Sequence, residues 1–353
     1  MIRFGLLGCG AIARRHAEIL SSGDVPGATL AAVCDADVNR AREFGSKYKA
    51  SPFSDLAEMA AKAQLDAITV LTPSGLHAEH ASQASQHVRA VVVEKPMALT
   101  LRDADRMIEA CDRNGARLFV VKQNRFNRPI VALRHALEQG RFGKLVLGTV
   151  RVRWCRPQTY YDSASWRGTW EHDGGVLANQ ASHHIDLLEW MMGEVESVSA
   201  MSTKALAKIE AEDTAVATLR FSNGALGVIE ATTATRPRDL EGSISILGEY
   251  GSVVVGGFAA NELKTWNFAK PEPEDDRVFE KSGVNPPHFA GYGHSAYYQH
   301  VVECLAHNKR QLVDGLEGRK SLELITAIYE AIETGEEVKL RFNPKSCRLG
   351  RRS

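Results

Sequence analysis

The first 122 residues alternate between short apolar runs and amphipathic stretches. Five runs are typical of buried strands, at residues 2–7, 28–34, 65–71, 90–93 and 117–121. Amphipathic stretches follow the first run as far as Leu20, begin again near His77 and occupy residues 102–114, where the spacing predicts helices. Strands that alternate with helices form parallel sheets with helices on both faces, and ligands of such sheets bind at the carboxyl ends of the strands.

The pattern changes after residue 124. Helices are predicted at 130–139, 176–192, 295–307 and 319–333, and strands at 145–154, 195–202, 215–221, 225–235 and 243–255. Asn223-Gly224 is a strong signal for a two-residue hairpin between two of these strands. Consecutive strands without intervening helices indicate an open, mostly antiparallel sheet. We therefore expect an α/β chain in which an α+β domain follows the parallel one.

These changes divide the chain into a domain at 1–122, a second domain at 123–345 and a basic tail at 346–353, which we interpret as a frayed end. The open sheet of the second domain has an apolar face that no predicted helix remains to cover. A second copy of the chain would bury that face, so we expect a homo-oligomer, either a dimer or a tetramer.

Composition excludes several classes of partner. The 353 residues are 44% hydrophobic, and 43 basic residues balance 43 acidic ones, so the chain has no electrostatic footprint for nucleic acid or membrane surfaces. No apolar run is long enough to span a bilayer, and the first residues enter a strand without room for a signal peptide. The six cysteines form no C-x-x-C pair. We expect reduced thiols in a cytoplasmic protein.

A glycine-rich turn, Gly8-x-Gly10-x-x-Ala13, ends the first strand. Gly8 permits the turn, Gly10 lets a diphosphate approach the backbone, and the helix that follows offers free N–H groups from Ala11 and Ile12 onward. A glycine turn before an ordinary core helix is the alternative. Asp35, about 25 residues past Gly10 at the end of the second strand, is where an acid that binds ribose hydroxyls is expected. Together these features predict a Rossmann domain that binds a dinucleotide.

The charges around Asp35 bear on the choice of dinucleotide. A carboxylate there accepts hydrogen bonds from the adenosine ribose and repels a 2′-phosphate. Asp37 adds a second negative charge, and Arg40 offsets only one of the two. We therefore predict NAD as the cofactor.

Lys95 is the first candidate for chemistry. It follows a buried strand, between Glu94 and Pro96, at the same sheet edge as Asp35 and Thr72. There it would point into the cleft above the nicotinamide, with Glu94 holding it and Pro96 fixing the backbone, a cis bond being one way to do so. A solvated surface lysine is the alternative.

His183 is the second candidate, in the run Asp173-Gly-Gly…Asn179…His183-His184…Asp186. In a helix over 176–192, Asn179 and His183 share a face, whereas His184 turns about 100° away toward the surface or an interface. A neutral imidazole is suited to taking a proton from an alcohol as hydride leaves. A core histidine capped by Asn179 is the alternative. Adjacent histidines face different ways, so we predict no metal.

These motifs together resemble the glucose–fructose oxidoreductase, inositol dehydrogenase and rhizopine catabolism (Gfo/Idh/MocA) family over residues 1 to about 340. The motifs are Gly8-x-Gly10-x-x-Ala13, Thr72-Pro73, Glu94-Lys95-Pro96 and the Gly-Gly…His…Asp segment. The resemblance implies that Lys95 and His183 flank the reacting sugar carbon, with the nicotinamide opposite. The family commonly has Asp where this chain has Asn179, which leaves the site with one less negative charge.

A narrower similarity covers the motifs at 122–127, 153–161, 166–170, 179–183 and 291–294. They resemble those of bacterial UDP-N-acetyl-2-amino-2-deoxyglucuronate dehydrogenases, which share the Asn. This similarity implies oxidation of the C3 hydroxyl of a UDP-linked uronic acid for surface polysaccharides such as lipopolysaccharide O-antigen. In some members 2-oxoglutarate recycles the bound NADH. An extra acid would repel such an anionic substrate.

Two sets of binding residues follow from the motifs and the resemblance. The expected cofactor contacts are Gly8, Gly10, Ala11, Ile12, Asp35, Thr72, Pro73, His77, Glu94, Lys95 and Arg125. The expected substrate contacts are Lys95, Arg156, Tyr160, Tyr161, Trp166, Arg167, Asn179 and His183. The two arginines would offer guanidinium forks, and the aromatic rings would stack on sugar or uracil. Ordinary packing in an irregular loop is the alternative for each ring.

Two other functions stay open. A dehydrogenase of free inositol or simple sugars would keep the same motifs, although the arginine-rich aromatic segment at 153–170 argues against it. An NAD-responsive regulator would keep the fold without the chemistry, although the presence of both Lys95 and His183 argues against that.

Overall fold

Short apolar runs become the strands of a parallel sheet in the computed structural model, which describes residues 1–282 and 293–352. The strands of this first sheet are β1 (Ile2–Leu7), β2 (Ala28–Cys34), β3 (Ser51–Phe53), β4 (Ala67–Val70), β5 (Ala90–Val93) and β6 (Arg117–Val120). Their order is β3-β2-β1-β4-β5-β6, and every neighbouring pair is parallel. All residues of β4 and β5 are buried, as expected for strands covered on both faces. The predicted Rossmann fold is confirmed.

The helices of this sheet connect its strands. They are α1 (Ala11–Ser22), α2 (Val38–Tyr48), α3 (Leu56–Ala63), α4 (His77–Ala84) and α5 (Leu101–Arg113). Asp37, Asp55 and Thr100 cap α2, α3 and α5 by accepting backbone N–H groups. Gly10 begins α1, where no side chain caps the helix. The first turn of α1 therefore keeps its N–H groups for another acceptor.

A larger, mostly antiparallel sheet follows. Its strands are β7 (Leu145–Arg153), β8 (Val195–Thr203), β9 (Thr214–Phe221), β10 (Leu226–Thr232), β11 (Glu241–Gly248), β12 (Gly251–Gly256), β13 (Glu262–Phe268) and β14 (Val338–Lys339). The helices of this part of the chain are α6 (Arg128–Glu138), α7 (Gln158–Tyr161), α8 (Ser182–Met192), α9 (Asp275–Ser282), α10 (Gly293–His307) and α11 (Gly315–Thr334). The strand order is β13-β12-β11-β7-β10-β9-β8-β14, with only β7 and β10 parallel among its described pairs. The predicted open sheet is confirmed.

One face of this sheet is covered by α8. A Cβ on Gly148 of β7 would lie 2.7 Å from Leu188 and from Met192, so the glycine lets the helix approach the strand. The opposite face carries the alternate positions, of which Val216 and Leu226 are 43% and 49% exposed. Among the described residues, the sheet is therefore buried on one side only.

The chain divides into two compact units. The first comprises Met1–Lys122 and His294–Arg319, and the second comprises Gln123–Gly293 and Lys320–Ser353. Most of α10 thus belongs to the Rossmann unit, where Val120 donates its N–H to the carbonyl of Val313. Sequence analysis assigned all of 123–345 to the second domain and did not foresee this return.

Two predicted elements of the second sheet differ from the structure. The strand predicted over 243–255 is two strands, because the chain turns at Glu249 and Tyr250, whose N–H groups bond to the carbonyls of Lys144 and Phe142. The Asn223-Gly224 hairpin is present with a three-residue loop, in which Phe221 pairs with Ala225 and Gly224 has a φ of +86°. The glycine supplies the left-handed conformation that such a loop needs.

The described part of the tail, residues 346–352, is not frayed. Glu330 of α11 accepts the N–H groups of Lys345, Ser346 and Cys347, and Leu349 is 2% exposed. A carboxylate on the preceding helix therefore ties the tail to the second unit, which the basic composition of the tail did not reveal. Across the described residues, none of the helices is both long and apolar enough to cross a membrane.

Candidate active site

The glycine turn after β1 has the shape that a diphosphate requires. Gly8 has a φ of +102°, and a Cβ there would lie 2.8 Å from the carbonyl oxygen of Leu71. A Cβ on Gly10, in contrast, would meet no atom within 4 Å. Ala11 and Ile12 are exposed at the start of α1. Open space beside an uncapped helix N-terminus fits the diphosphate of a dinucleotide.

Asp35 holds the backbone of this turn. Its carboxylate accepts the N–H of Cys9 at 2.8 Å and the N–H of Asp37 at 2.9 Å. Arg40 lies 3.5 Å from Asp35 and 3.6 Å from Asp37. Asp35 thus lies beside the glycine turn, where the predicted ribose contact requires it, and the local charge is two acids to one base.

The segments after β4 and β5 are tied together by His77. Its Nδ1 lies 2.8 Å from the carbonyl oxygen of Pro96, and its Nε2 lies 2.8 Å from that of Thr72. Pro73 follows Thr72 and accepts the N–H of Leu76. His77 is buried, and burial lowers its pKa, so the neutral ring lies between the two carbonyls and donates its single N–H to one of them.

Lys95 is half-buried at this edge, and the Lys95–Pro96 bond is cis. Glu94 is buried, and its Oε2 accepts the backbone N–H of Lys95 at 2.8 Å. Burial alone would raise the pKa of Glu94, but the hydrogen bond and charge of His16 outweigh it and lower that pKa to about 2. An ionised carboxylate therefore holds the backbone N–H of Lys95. Sequence analysis missed His16, because nothing in its sequence position shows that it faces Glu94.

His183 begins the second group of candidate residues, in the second unit. It lies in the first turn of α8, is 7% exposed, and its Nε2 contacts the side-chain amide nitrogen of Gln123 at 2.9 Å. An amide N–H directed at Nε2 requires a lone pair there, which is the state of a neutral general base. Gln123 lies in the motif at 122–127, but sequence analysis gave it no role.

Asn179 does not share a helix with His183. Residues 176–181 form a turn, and α8 begins only at Ser182, so the prediction of a helix from 176 is wrong. The amide of Asn179 donates to Asp173, whose other oxygen accepts the N–H of Gly168 at 2.7 Å. Asn179 therefore lies one hydrogen bond away from a carboxylate, that of Asp173.

Glu212 explains why the helix begins late. Its carbonyl accepts the N–H of Val176, and its Oε1 accepts the N–H of Leu177 at 3.0 Å and the hydroxyl of Tyr329 at 2.9 Å. Burial raises the pKa of Glu212 to about 7, although these hydrogen bonds lower it in part. The turn that leads to His183 thus rests on a buried carboxyl group about 30 residues further along the chain, a distance at which sequence spacing carries no signal.

The prediction that His184 lies at the surface or an interface is wrong. The side chain is fully buried, and its ring packs edge-on against Trp154 at 5.9 Å between centroids. Burial lowers its pKa to about 4, so the imidazole is neutral at physiological pH. The sheet beneath α8 covers this side of the helix, because Gly242 of β11 has no side chain there.

Arg125 and Asp186 form a buried ion pair. The guanidinium Nε and Nη2 atoms each donate to Asp186 at 2.8 Å, and the two side chains are 3% and 2% exposed. The guanidinium also lies 4.7 Å from the centre of the Trp190 ring. Arg125 therefore anchors α8 to the segment Gln123–Phe126, and its predicted contact with the cofactor stays a prediction.

The side chains of the arginine-rich segment after β7 are held by hydrogen bonds. Arg156 donates to Asp239 at 3.0 Å, and Arg167 donates to the hydroxyl of Tyr160 at 2.9 Å. The Arg167 guanidinium also lies 4.6 Å from the Trp166 ring centre. Tyr161 is 5% exposed and bonds to Thr233, which favours packing for this ring. Tyr160, Trp166 and both arginines are half-buried and keep accessible surface.

Part of one motif cannot be placed. Gly291 and Tyr292 lie outside the described residues, whereas His294 is described and is 4% exposed. Burial lowers the pKa of His294 to about 3, and the charges of His16, Arg15 and Lys95 act in the same direction. His294 is therefore a neutral imidazole in the Rossmann unit.

Solved structures of similar proteins hold both a cofactor and a sugar nucleotide. The chain is 46% identical to the WlbA dehydrogenase from Bordetella pertussis in complex with NADH and UDP-GlcNAcA, with a TM-score of 0.88 over 97% of this chain and 99% of that one. The WlbA enzyme from Chromobacterium violaceum, in complex with the same two molecules, is 42% identical, with a TM-score of 0.90 over 97% and 96% of the two chains. Among curated proteins, myo-inositol 2-dehydrogenase from Thermotoga maritima is 29% identical over 96% of this chain and 98% of its own length.

Two family models match the chain. The oxidoreductase family with an NAD-binding Rossmann fold matches residues 2–122, and the C-terminal alpha/beta domain of the same family matches residues 134–340. The cofactor is accordingly NAD, in agreement with the open glycine turn and with Asp35. These matches cover both units of the structure, and the chain belongs to the Gfo/Idh/MocA oxidoreductase family.

Proposed function

We propose that this protein is an NAD-dependent sugar-nucleotide dehydrogenase that oxidises the C3 hydroxyl of UDP-N-acetylglucosaminuronic acid to the 3-keto sugar nucleotide. The product would serve the synthesis of surface-polysaccharide sugars such as those of lipopolysaccharide O-antigen. The observation that carries the proposal is the identity of 42–46% to two enzymes crystallised with NADH and UDP-GlcNAcA, against 29% to an inositol dehydrogenase.

In the proposed reaction His183 takes the proton of the C3 hydroxyl. The contact of its Nε2 with the amide of Gln123 is consistent with an unprotonated nitrogen that can accept that proton. Lys95 donates a hydrogen bond to the same oxygen and stabilises the charge that develops on it. Bound NAD accepts the hydride.

The anionic parts of the substrate would be bound by the segment after β7. Arg167 presents a guanidinium that is already fixed on Tyr160, and Arg156 is fixed by Asp239. Side chains held in this way lose little conformational entropy when they bind a carboxylate or diphosphate. Tyr160 and Trp166 would stack on the sugar or uracil, and Asn179, fixed by Asp173, would accept a sugar hydroxyl.

A panel of substrates tests the proposal by the absorbance of NADH. We expect turnover with the UDP-linked uronic acid and at least 100-fold lower kcat/KM with UDP-N-acetylglucosamine, which lacks the carboxylate, and with free inositol. Oxidation of free inositol or simple sugars at the highest rate would favour the alternative represented by the 29% relative. NAD binding without turnover of any compound would favour a regulator.

The same panel, repeated with 2-oxoglutarate, tests how NADH is re-oxidised. Retention of NADH on the enzyme during turnover, with multiple turnovers only when 2-oxoglutarate is present, would identify it as the re-oxidant. Free NADH accumulating without it would exclude that role.

The exposed face of the second sheet supports a homo-oligomer, either a dimer or a tetramer. Leu226 pairs with Leu147, which pairs with Leu247, so three leucines lie side by side across β10, β7 and β11. Toward the other end of the same face Arg153 donates to Glu230 and Glu241, which gives the face balanced charges that suit a second copy. We expect Leu226→Arg to shift the mass measured by light scattering toward the monomer. An unchanged mass would place the interface elsewhere.

A further inference from the structure

A chain of buried hydrogen bonds runs through the Rossmann unit to the backbone of Lys95. Thr69 and Tyr298 share a hydrogen bond of 3.2 Å between hydroxyls, and Tyr298 lies 2.7 Å from His16 Nδ1. His16 Nε2 lies 2.9 Å from Glu94 Oε1, and Glu94 Oε2 accepts the N–H of Lys95. We call Thr69, Tyr298, His16 and Glu94 the His16 network. Its members come from β4, α10, α1 and the end of β5.

The protons of this network can be placed consistently. Ionised Glu94 only accepts, so His16 Nε2 carries a hydrogen, while Nδ1 accepts from Tyr298 when the imidazole is neutral and donates to it when the imidazole is protonated. Burial raises the pKa of the Tyr298 hydroxyl well above its usual range, which keeps this donor protonated. The Tyr298 hydroxyl forms its other hydrogen bond with the hydroxyl of Thr69. Every buried polar atom along the path therefore has its partner, which is the condition for a rigid network.

The network holds the N-terminal end of the Lys95–Pro96 dipeptide. Glu94 holds the N–H of Lys95, while Nδ1 of the buried His77 lies 2.8 Å from the carbonyl oxygen of Pro96 on the other side. Removing His16 would leave this carboxylate buried with one strong donor fewer, and removing the Tyr298 hydroxyl would release the His16 ring that donates to it, so in both cases the carboxylate would move toward another donor. The backbone N–H that it holds would move with it.

We infer that His16 and Tyr298 are positioning residues, which act through Glu94 to orient the amine of Lys95. The inference rests on the proposed role of Lys95. It also gives a function to Tyr298, which the chain delivers to the Rossmann unit only after passing through the second unit.

A metal site is the competing explanation. One ligand atom each from His16, Glu94 and His294 lie within 4.8 Å of one another. However, the 2.9 Å between His16 Nε2 and Glu94 Oε1 is a hydrogen-bond distance, and the hydrogen it requires occupies the nitrogen that would bind an ion. The charges of Arg15 and Lys95, which act on His294, would also repel a divalent cation. The geometry therefore favours the network.

Four variants test the inference. Tyr298→Phe removes only the hydroxyl, and His16→Leu removes both links. His16→Gln keeps a donor for Glu94 and an acceptor for Tyr298. Tyr48→Phe is the matched control, because the Tyr48 hydroxyl is also buried and has no hydrogen-bond partner among the described residues. Each variant is first compared with the wild type by thermal unfolding, so that only folded protein is assayed.

Three measurements are made on each folded variant. They are kcat with the substrate that the wild type oxidises best, the NADH dissociation constant by fluorescence, and the apparent pKa of the Lys95 amine by competitive acetylation mapped to its peptide. We expect Tyr298→Phe and His16→Leu to lower kcat at least tenfold, with NADH affinity changed less than threefold. The apparent pKa of Lys95 should move by at least half a pH unit in both. His16→Gln and Tyr48→Phe should stay close to the wild type.

Several results would overturn the inference. One is wild-type kcat and Lys95 reactivity in Tyr298→Phe, and another is the same loss in Tyr48→Phe or in His16→Gln as in His16→Leu. One equivalent of a tightly bound divalent metal in the purified wild type, lost in His16→Leu, would establish the metal site instead. The acetylation measurement needs no substrate, so a wild type inactive toward UDP-sugar acids would contradict the proposed function and leave this test intact.

Discussion

Glu94 and Glu212 are buried carboxyl groups with similar surroundings and opposite behaviour. Each lies next to a segment that carries a predicted catalytic residue, Lys95 in one unit and His183 in the other. Each is also linked to a tyrosine from a late helix, Glu212 directly to Tyr329 and Glu94 through His16 to Tyr298. The same device, a buried acid that binds backbone N–H groups, thus supports the segment of each predicted catalytic residue.

The two acids differ in the partner that faces them. Glu94 accepts from an imidazole, and its pKa is lowered to about 2, whereas Glu212 accepts from a peptide N–H and a phenol, and its pKa is raised to about 7. Neutral hydrogen bonds therefore do not compensate for burial here, and Asp213 adds a charge of the same sign. The charge of the donor, more than the number of donors, thus decides whether each of these buried acids ionises. Of the two acids, only Glu212, which holds the turn before His183, should change its protonation near neutral pH.

The largest expected effect is that of replacing His183, which follows the turn held by Glu212. His183→Ala should lower kcat by about 10²–10⁴-fold, because it removes the proposed base. NADH affinity, measured by fluorescence, should stay within about threefold of the wild type. Near-normal turnover would remove His183 from the mechanism.

Glu94→Gln should lower the free energy of unfolding at pH 7 by about 3 kcal/mol, measured by denaturant unfolding. The folded pKa of Glu94 lies below its ordinary value of 4.5, so its contribution is present above pH 4.5 and is lost as the pH falls toward about 2. The deficit of the variant should therefore shrink at pH 3. A deficit that does not change between pH 7 and pH 3 would mean that the ionised form is not what stabilises the fold.

Glu212→Gln should behave in the opposite way. The folded pKa of Glu212 lies above its ordinary value, so its contribution is present below pH 4.5 and is lost as the pH rises to about 7. Between pH 5 and pH 8 the wild type should therefore lose about 2–3 kcal/mol more than the variant does. Equal losses in the two proteins would show that Glu212 is ionised throughout, and the contrast with Glu94 would disappear.

Asp35 extends the comparison to a carboxylate that is only partly buried. Its two oxygens also hold backbone N–H groups, those of Cys9 and Asp37, but it faces the predicted ribose site. Asp35→Ala should raise the ratio of kcat/KM for NADP to that for NAD by about tenfold, equivalent to about 1.4 kcal/mol. Asp24→Ala, at an exposed acid after α1, serves as the control. An unchanged ratio would place the ribose contact at another residue.

The sequence predicts best where local pattern decides the structure. The strands of the Rossmann sheet, the helix at Leu101–Arg113 and the hairpin at Gly224 follow from apolar runs, amphipathic spacing and one glycine. Glu94 was expected to hold Lys95, and it does so through the backbone N–H.

The errors occur where distant residues decide. The late start of α8 depends on Glu212, and the burial of His184 depends on a glycine in β11 that leaves room for the imidazole. The order of the tail depends on Glu330. None of these partners is close in sequence to the segment that it controls. Hydrophobic periodicity reports only whether a face is apolar, so it cannot show which polar group a distant segment supplies.

Because the chain returns to its first unit, only certain fragments of the protein should fold on their own. Val313 covers the N–H of Val120 in β6, and Gly318 lies against the same valine. A recombinant fragment that stops at residue 122 would therefore expose the outer strand and lose Tyr298. Such a fragment should aggregate, whereas one that joins residues 1–122 to 294–319 through a short linker should remain monodisperse and bind NADH.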